Sequence, residues 1–214
     1  MAKSCVILDF GGVISKTPFE QHRLTERVLN LPPGTLQWLG PLSPESDELW
    51  RRMLADEISE REYWFLRAQE VGRLVGEEWP DVVSFLRRIR GTDPNLAIRP
   101  EAQAFLREAH RRGKRLAVLS NELDLFYGRE FRERIEILKL METIVDATYT
   151  HTLKPRPEAY LNCLETLGLS AADVVFVDDQ PRNVEGARRV GIQTVQFDVR
   201  DPQGSYAAVE RLLY

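Results

Sequence analysis

Hydrophobic positions follow two different periods along this chain. Val6-Ile7-Leu8 is an unbroken apolar run that stops at Asp9, Phe10 and the pair Gly11-Gly12. A short apolar run bounded by turn residues predicts a strand buried on both faces, as in a parallel sheet. After Gly12 the period lengthens. Thr17-Pro18-Phe19-Glu20 reads as a helix start, with Thr17 as N-cap, Pro18 in the first turn and Glu20 closing a capping box. Ser43-Pro44 opens a second helix, with Leu49, Trp50, Met53 and Leu54 on one face. Ser59 and Glu62 form another capping box ahead of Tyr63, Leu66, Val71, Leu74 and Val75. Pro80 begins a fourth, carrying Val82, Val83, Phe85, Leu86 and Ile89. Thr17 to about Gly91 therefore reads as helix throughout.

From Pro100 onward strands and helices alternate. A helix from Pro100 is ended by Gly113, and Leu116 to Leu119 is a second buried strand that stops at Ser120-Asn121. A helix is expected from about Leu123 to Leu140, and a weaker strand from Val145 to Tyr149. Pro157 to Leu167 is a helix stopped by Gly168, and Val174 to Val177 is a strand ending in Asp178-Asp179. A helix to Val190, a strand from Ile192 to Phe197 and a helix from Pro202 to Leu213 complete the chain. This alternation implies an α/β fold, a Rossmann-like parallel sheet with helices on both faces. The expected core comprises residues 1–15 and 96–214, and residues 16–95 an inserted α-helical domain.

The chain has 214 residues, 43% hydrophobic and 29% charged, with a formal net charge of −4. Such a balance lacks the basic excess of a nucleic-acid binder. No apolar run approaches the roughly 20 residues of a membrane span, and the start of the chain does not read as a signal peptide. Cys5 and Cys163 have no metal-type spacing and sit in apolar segments, as buried thiols of a cytoplasmic protein do. All four tryptophans, Trp38, Trp50, Trp64 and Trp79, lie in the helical block. They are expected chiefly in its core, with at most one facing a substrate cleft.

Four strand ends, or the loops after them, carry polar residues: Asp9, then Ser120 and Asn121, then Lys154, then Asp178 and Asp179. Ligands of open α/β sheets bind beyond the carboxyl ends of the strands, so residues distant in sequence can converge there. Taken singly each is commonplace: a turn-capping Asp, a solvated turn, a surface Lys before a Pro. As a set, three carboxylates beside one Lys suit Mg²⁺, which binds through a few carboxylates, water and a substrate phosphate. The chemistry suggested is phosphoryl transfer to a carboxylate nucleophile.

At these residues the chain resembles the haloacid dehalogenase-like (HAD) superfamily. Asp9-Phe10-Gly11-Gly12-Val13 is similar to its first motif, Leu119-Ser120-Asn121 to its second, Lys154-Pro155 to its third and Val177-Asp178-Asp179 to its fourth. The helical insert resembles the cap of subfamily I members. Asp178-Asp179 with Asn183, Gly186 and Ala187 is most similar to bacterial sugar phosphatases acting on glucose 1-phosphate. The resemblance implies a Mg²⁺-dependent phosphatase of a small phosphorylated metabolite. Asp9 would form an aspartyl-phosphate and ligate Mg²⁺ with the Gly11 carbonyl and Asp179, Asp178 being either a direct ligand or one step removed. Ser120, Asn121 and Lys154 would hold the phosphoryl group, and Lys154 would also neutralise charge at Asp9.

Two positions depart from the family pattern. Its phosphatases usually carry an Asp two residues after the nucleophile as general acid, where this chain has Gly11. A Gly often stands three residues before the motif Lys, where this chain has His151. The phosphonate-cleaving relatives also have a small residue at the Gly11 position but use a cap Lys, and no lysine follows Lys16 in the insert. The alternative functions are a 2-haloacid dehalogenase and a catalytically weak protein that binds a phosphate ligand or a partner. Gly11 and the Asp178-Asp179 pair both argue against the dehalogenase.

Overall fold

The first apolar run forms β1, Cys5–Leu8, with every residue buried. In the computed structural model, which describes residues 3–214, the chain makes two compact units. One joins the segment through Lys16 to Asn95–Tyr214, and the other is Thr17–Pro94. Met1 and Ala2, the start of the expected segment 1–15, lie outside the described residues.

The Thr17–Pro94 unit is helical among its described residues. Thr17 caps a 3₁₀ turn, Pro18–Gln21, through the expected capping box with Glu20, and α1 follows at His22–Val28. The second helix, α2, is Glu48–Leu54. Ser43-Pro44 opens only a 3₁₀ turn, and the cap of α2 is Asp47, whose Oδ1 accepts from Trp50 N at 2.9 Å. A carboxylate is as good a cap as a serine hydroxyl and adds charge at the positive end of the helix. Ser59 and Glu62 cap α3, Glu60–Val75, which ends at Gly76 with φ 67°. Asp81, rather than Pro80, starts α4, Val82–Ile89. Phe19, Trp38, Trp50, Tyr63, Val71 and Phe85 fill the centre, with Trp64 and Trp79 packed against them. The tryptophans are thus core residues, as their apolar area favours.

In the other unit β1 is followed, beyond the insertion, by α5 (Pro100–Arg111) and β2 (Arg115–Ser120). The single helix expected over Leu123–Leu140 is three short pieces: α6 (Leu123–Tyr127), α7 (Arg129–Glu133) and a 3₁₀ segment, Glu136–Leu140. Gly128 divides the first two with φ 78° and ψ 145°, a conformation that breaks a helix and that Gly adopts readily. The weak strand begins earlier than its apolar residues suggest: β3 is Thr143–Asp146, and Asp146 caps a short helix, α8 (Ala147–Thr150), by accepting from Thr148 N. Then come α9 (Pro157–Leu167), β4 (Val174–Asp178), α10 (Pro181–Arg189), β5 (Gln193–Gln196) and α11 (Pro202–Leu213).

The five strands form one parallel sheet in the order β3-β2-β1-β4-β5. Ile7, Ala117, Leu119 and Phe176 meet Tyr160, Cys163 and Leu164 of α9 and Ala187 of α10 on one face. Helices α5 and α11 pack on each other and against β2, β4 and β5, with Ala102, Leu106, Val209 and Leu213 buried. Both cysteines are buried and unbridged. Leu8 pairs with Val118 on one side and Val177 on the other, so β1 ends in the middle of the sheet with a strand end at each flank.

Candidate active site

Asp9 leaves the sheet one residue past β1, its N–H still donating to Val177 O at 2.8 Å. The next turn is wide. Ser15 N closes it on Phe10 O at 2.8 Å, and Gly12 sits inside with φ 74°. A side chain at Gly12 is excluded twice, because a Cβ there would lie 2.6 Å from Asp179 Oδ2. Gly11 differs. Its φ of −68° and ψ of 130° are open to any residue, and a Cβ would meet nothing within 4 Å.

Lys154 joins the ends of β1 and β4. Its Nζ donates to Asp9 Oδ1 at 2.8 Å and to Asp178 Oδ2 at 2.6 Å. The Lys154–Pro155 peptide is cis. Asn121, just past β2, braces this segment: its Oδ1 accepts from Lys154 N at 2.7 Å and its Nδ2 donates to Lys154 O at 3.1 Å. Ser120 is buried at the end of β2. The oxygens of Asp178 are engaged all round. Oδ1 accepts from Gln180 N and Asn183 Nδ2, and Oδ2 accepts from Lys154 Nζ and the same Asn183 amide. Asn183 is held in turn by Tyr160, whose hydroxyl donates to its main-chain oxygen at 2.7 Å. Gly186 lets α10 approach the Lys154-Pro155 turn, since a Cβ there would lie 2.7 Å from Pro155 O. A glycine within a helix is the sequence sign of such an approach.

Asp9, Asp178 and Asp179 each offer an oxygen within 4.8 Å of the others. Burial pushes the Asp9 carboxyl up to about 6, with Asp178 pushing the same way and Lys154 pulling it down. Burial alone would lower Lys154, but Asp178 and Asp9 outweigh it and hold the ammonium above the ordinary lysine range. Three carboxylates gathered this closely offer the oxygen donors that Mg²⁺ prefers. The residues therefore fit Mg²⁺.

His151 is exposed at the end of α8 with φ 54°. That is the left-handed backbone that glycine adopts most readily, which accounts physically for a glycine being common at this place. Gly12 stands in the Asp9–Val13 run singled out in the sequence, whereas Arg99, an arginine ahead of a helix-starting proline, carries no sequence signal of its part in the Asp9 turn.

The description haloacid dehalogenase-like hydrolase matches residues 4–191. The chain belongs to the haloacid dehalogenase-like hydrolases. It is 27% identical over 208 residues to Phosphatase MT3486 of Mycobacterium tuberculosis, covering 92% of this chain and 88% of that protein. The magnesium-bound YfnB structure from Bacillus subtilis superimposes with a TM-score of 0.67 at 15% identity, over 95% of this chain and 89% of that one. L-2-haloacid dehalogenase from Xanthobacter autotrophicus gives 0.53 at 19% identity, over 91% and 77%. These structures share the HAD fold, and the chain is a hydrolase with phosphatase-named relatives. No helix among the described residues is long and apolar enough to cross a membrane.

Proposed function

We propose that this hydrolase is a Mg²⁺-dependent phosphatase of a small phosphorylated metabolite. The observation that carries the reading is the convergence of Asp9, Asp178 and Asp179 at the carboxyl end of the sheet, with Lys154 bonded to the first two. The phosphatase naming of the mycobacterial relative supports it.

Asp9 is the nucleophile. Its oxygen attacks phosphorus, the bond from phosphorus to the leaving oxygen breaks, and an aspartyl-phosphate remains. Water then attacks that phosphorus and releases phosphate and free Asp9. Lys154 offsets charge on Asp9 and on the phosphoryl oxygens. Ser120 supplies a hydroxyl to the phosphoryl group. Asn121 supports the same binding through Lys154, whose main chain its amide grips on both sides. Asp9, Asp179 and the Gly11 carbonyl are the groups that would hold Mg²⁺, while Asp178, already accepting at both oxygens, positions Lys154. When bound, Mg²⁺ neutralises the phosphate charge and orients it for attack.

The helical unit is the cap of this enzyme in our reading. No acid stands at Gly11, so the preferred substrates carry a good leaving group, such as an acyl phosphate or a sugar 1-phosphate. A dehalogenase would draw a carboxylate substrate toward three carboxylates, an unfavourable approach without a cation.

The test is phosphate release from a panel of phosphorylated metabolites and p-nitrophenyl phosphate. Wild type should release phosphate with Mg²⁺ and lose that activity in EDTA, and folded Asp9→Asn should be inactive in both. Undiminished release by folded Asp9→Asn would overturn the mechanism.

A further inference from the structure

Three successive carbonyls of the turn after Asp9 are held by donors from elsewhere in the chain. Arg99 Nε and Nη2 both donate to Gly12 O, at 3.1 and 2.9 Å. The Tyr206 hydroxyl donates to Val13 O at 3.1 Å, and Arg99 N donates to Ile14 O at 3.0 Å. Arg99 is 2% exposed, among the largest wholly buried side chains of the protein. Its guanidinium lies 5.5 Å from the Phe197 ring centre, and Phe197 and Phe105 flank Tyr206.

Burying a guanidinium is unfavourable unless its hydrogen bonds are made. An apolar side chain would fill the same space without that desolvation. What the guanidinium adds is a two-pronged grip on one carbonyl, with a direction that packing alone does not give. The gripped carbonyl belongs to Gly12, the residue whose left-handed backbone lies against the Asp179 carboxylate. Rotation of the Gly12-Val13 peptide would carry the turn away from Asp179 and alter the direction of the neighbouring Gly11 carbonyl.

We propose that Arg99 is a positioning residue, which fixes the Asp9–Ile14 turn so that Asp9, the Gly11 carbonyl and Asp179 are presented together to the metal. This rests on the phosphatase reading above. Arg99 touches neither metal nor substrate and acts through Gly12. It also ends the segment by which the chain re-enters this unit, since Ile98 is bridged to Ser15 and Ala97 O accepts from Lys16 N.

The experiment titrates the metal-stripped full chain with MgCl₂ by calorimetry, and separately follows p-nitrophenyl phosphate hydrolysis at saturating Mg²⁺. The proteins are wild type, Arg99→Lys, Arg99→Met and Tyr206→Phe. Outer partners of metal ligands typically set affinity or activity by about 10–100-fold. Arg99→Lys keeps the charge but loses the fork, so its Mg²⁺ Kd should rise by about tenfold and its kcat should fall, with KM little changed. Tyr206→Phe should shift both in the same direction by less. If Arg99→Met does not fold, Arg99→Lys carries the comparison. A folded Arg99→Lys with a lowered Tm but wild-type Kd and kcat would reduce Arg99 to a structural role and overturn the proposal. Wild type that neither binds Mg²⁺ nor releases phosphate would overturn the phosphatase reading itself, and this proposal with it.

Discussion

Lys154 Nζ stands 2.6 Å from Asp178 Oδ2, and both side chains are buried. Removing Asp178 leaves buried Lys154 with the Asp9 carboxylate and takes the acceptor from Gln180 N and Asn183 Nδ2. Asp178→Ala should therefore lower the unfolding free energy by about 3–5 kcal/mol. Asp179 is less buried, and in metal-free protein it adds a like charge beside Asp9 and Asp178. Asp179→Ala should cost less than about 1 kcal/mol there. In wild type Mg²⁺ should raise Tm by an amount set by its concentration over Kd, and Asp179→Ala should abolish that rise. Denaturant melts of the three proteins, with and without Mg²⁺, check the contrast. Equal losses for the two variants in EDTA would mean that the two aspartates do not have separate roles.

Gly11 has room and an ordinary backbone, so Gly11→Asp should fold with a stability change within about 1 kcal/mol. The new carboxyl would stand two residues after the nucleophile as a proton donor. General acid help is worth about 10²–10⁴-fold, most for basic leaving groups. The variant should thus gain on an alkyl phosphate, such as a sugar 6-phosphate, relative to p-nitrophenyl phosphate. The ratio of kcat/KM for the two substrates is the measurement. An unchanged ratio in a folded variant would show that leaving-group protonation is not what the glycine lacks.

In the helical unit His22 is buried with its ring centre 4.3 Å from that of Trp38. Burial lowers its pKa from the ordinary 6.5, against the pull of Glu26 and a hydrogen bond to the Leu36 main chain, with Arg67 and Arg23 adding to the lowering. The folded state therefore binds this proton less readily than the unfolded state. Stability from a neutral His22 is full above 6.5 and declines as pH falls below it. Glu26 and Asp47 act in the same direction, at a lower pH. Their folded pKa values lie below 4.5 and 3.8, so their contribution is present above those values and is lost only as pH falls further. Melting curves between about pH 8 and pH 5 should show the His22 slope, and His22→Gln should flatten it. A slope unaltered in that variant would place the titration elsewhere.

The strand ends were legible because an apolar run that stops at a charged residue marks where a buried strand meets solvent. Asp9, Ser120, Lys154 and Asp178 stand at or beside the end of the sheet that the pattern implied. Helix boundaries were less legible where an aspartate competed with a more familiar starting signal. Asp47, Asp81 and Asp146 each took the capping role from the position that Ser43-Pro44, Pro80 or a β pattern had suggested. A cap is decided by where the main chain turns, and several nearby residues can supply the same oxygen. Arg99 was hidden for another reason. Its importance lies in its grip on the Gly12 carbonyl, which no local pattern encodes. The grip of the Asn121 amide on the Lys154 main chain is likewise a contact that no local pattern encodes.

The central place of β1 has a consequence for biosynthesis. Its sheet partners begin at Arg115 and Val174, yet its own residues leave the ribosome first. The helical unit between them has its own core and emerges complete long before either partner. Domains generally fold as units while the chain is being made. The nascent protein therefore passes through a stage in which a helical domain is formed and an apolar strand with two open edges waits ahead of it. Unpaired strand edges are aggregation-prone. That interval ends only when β4, the last neighbour of β1, has been translated.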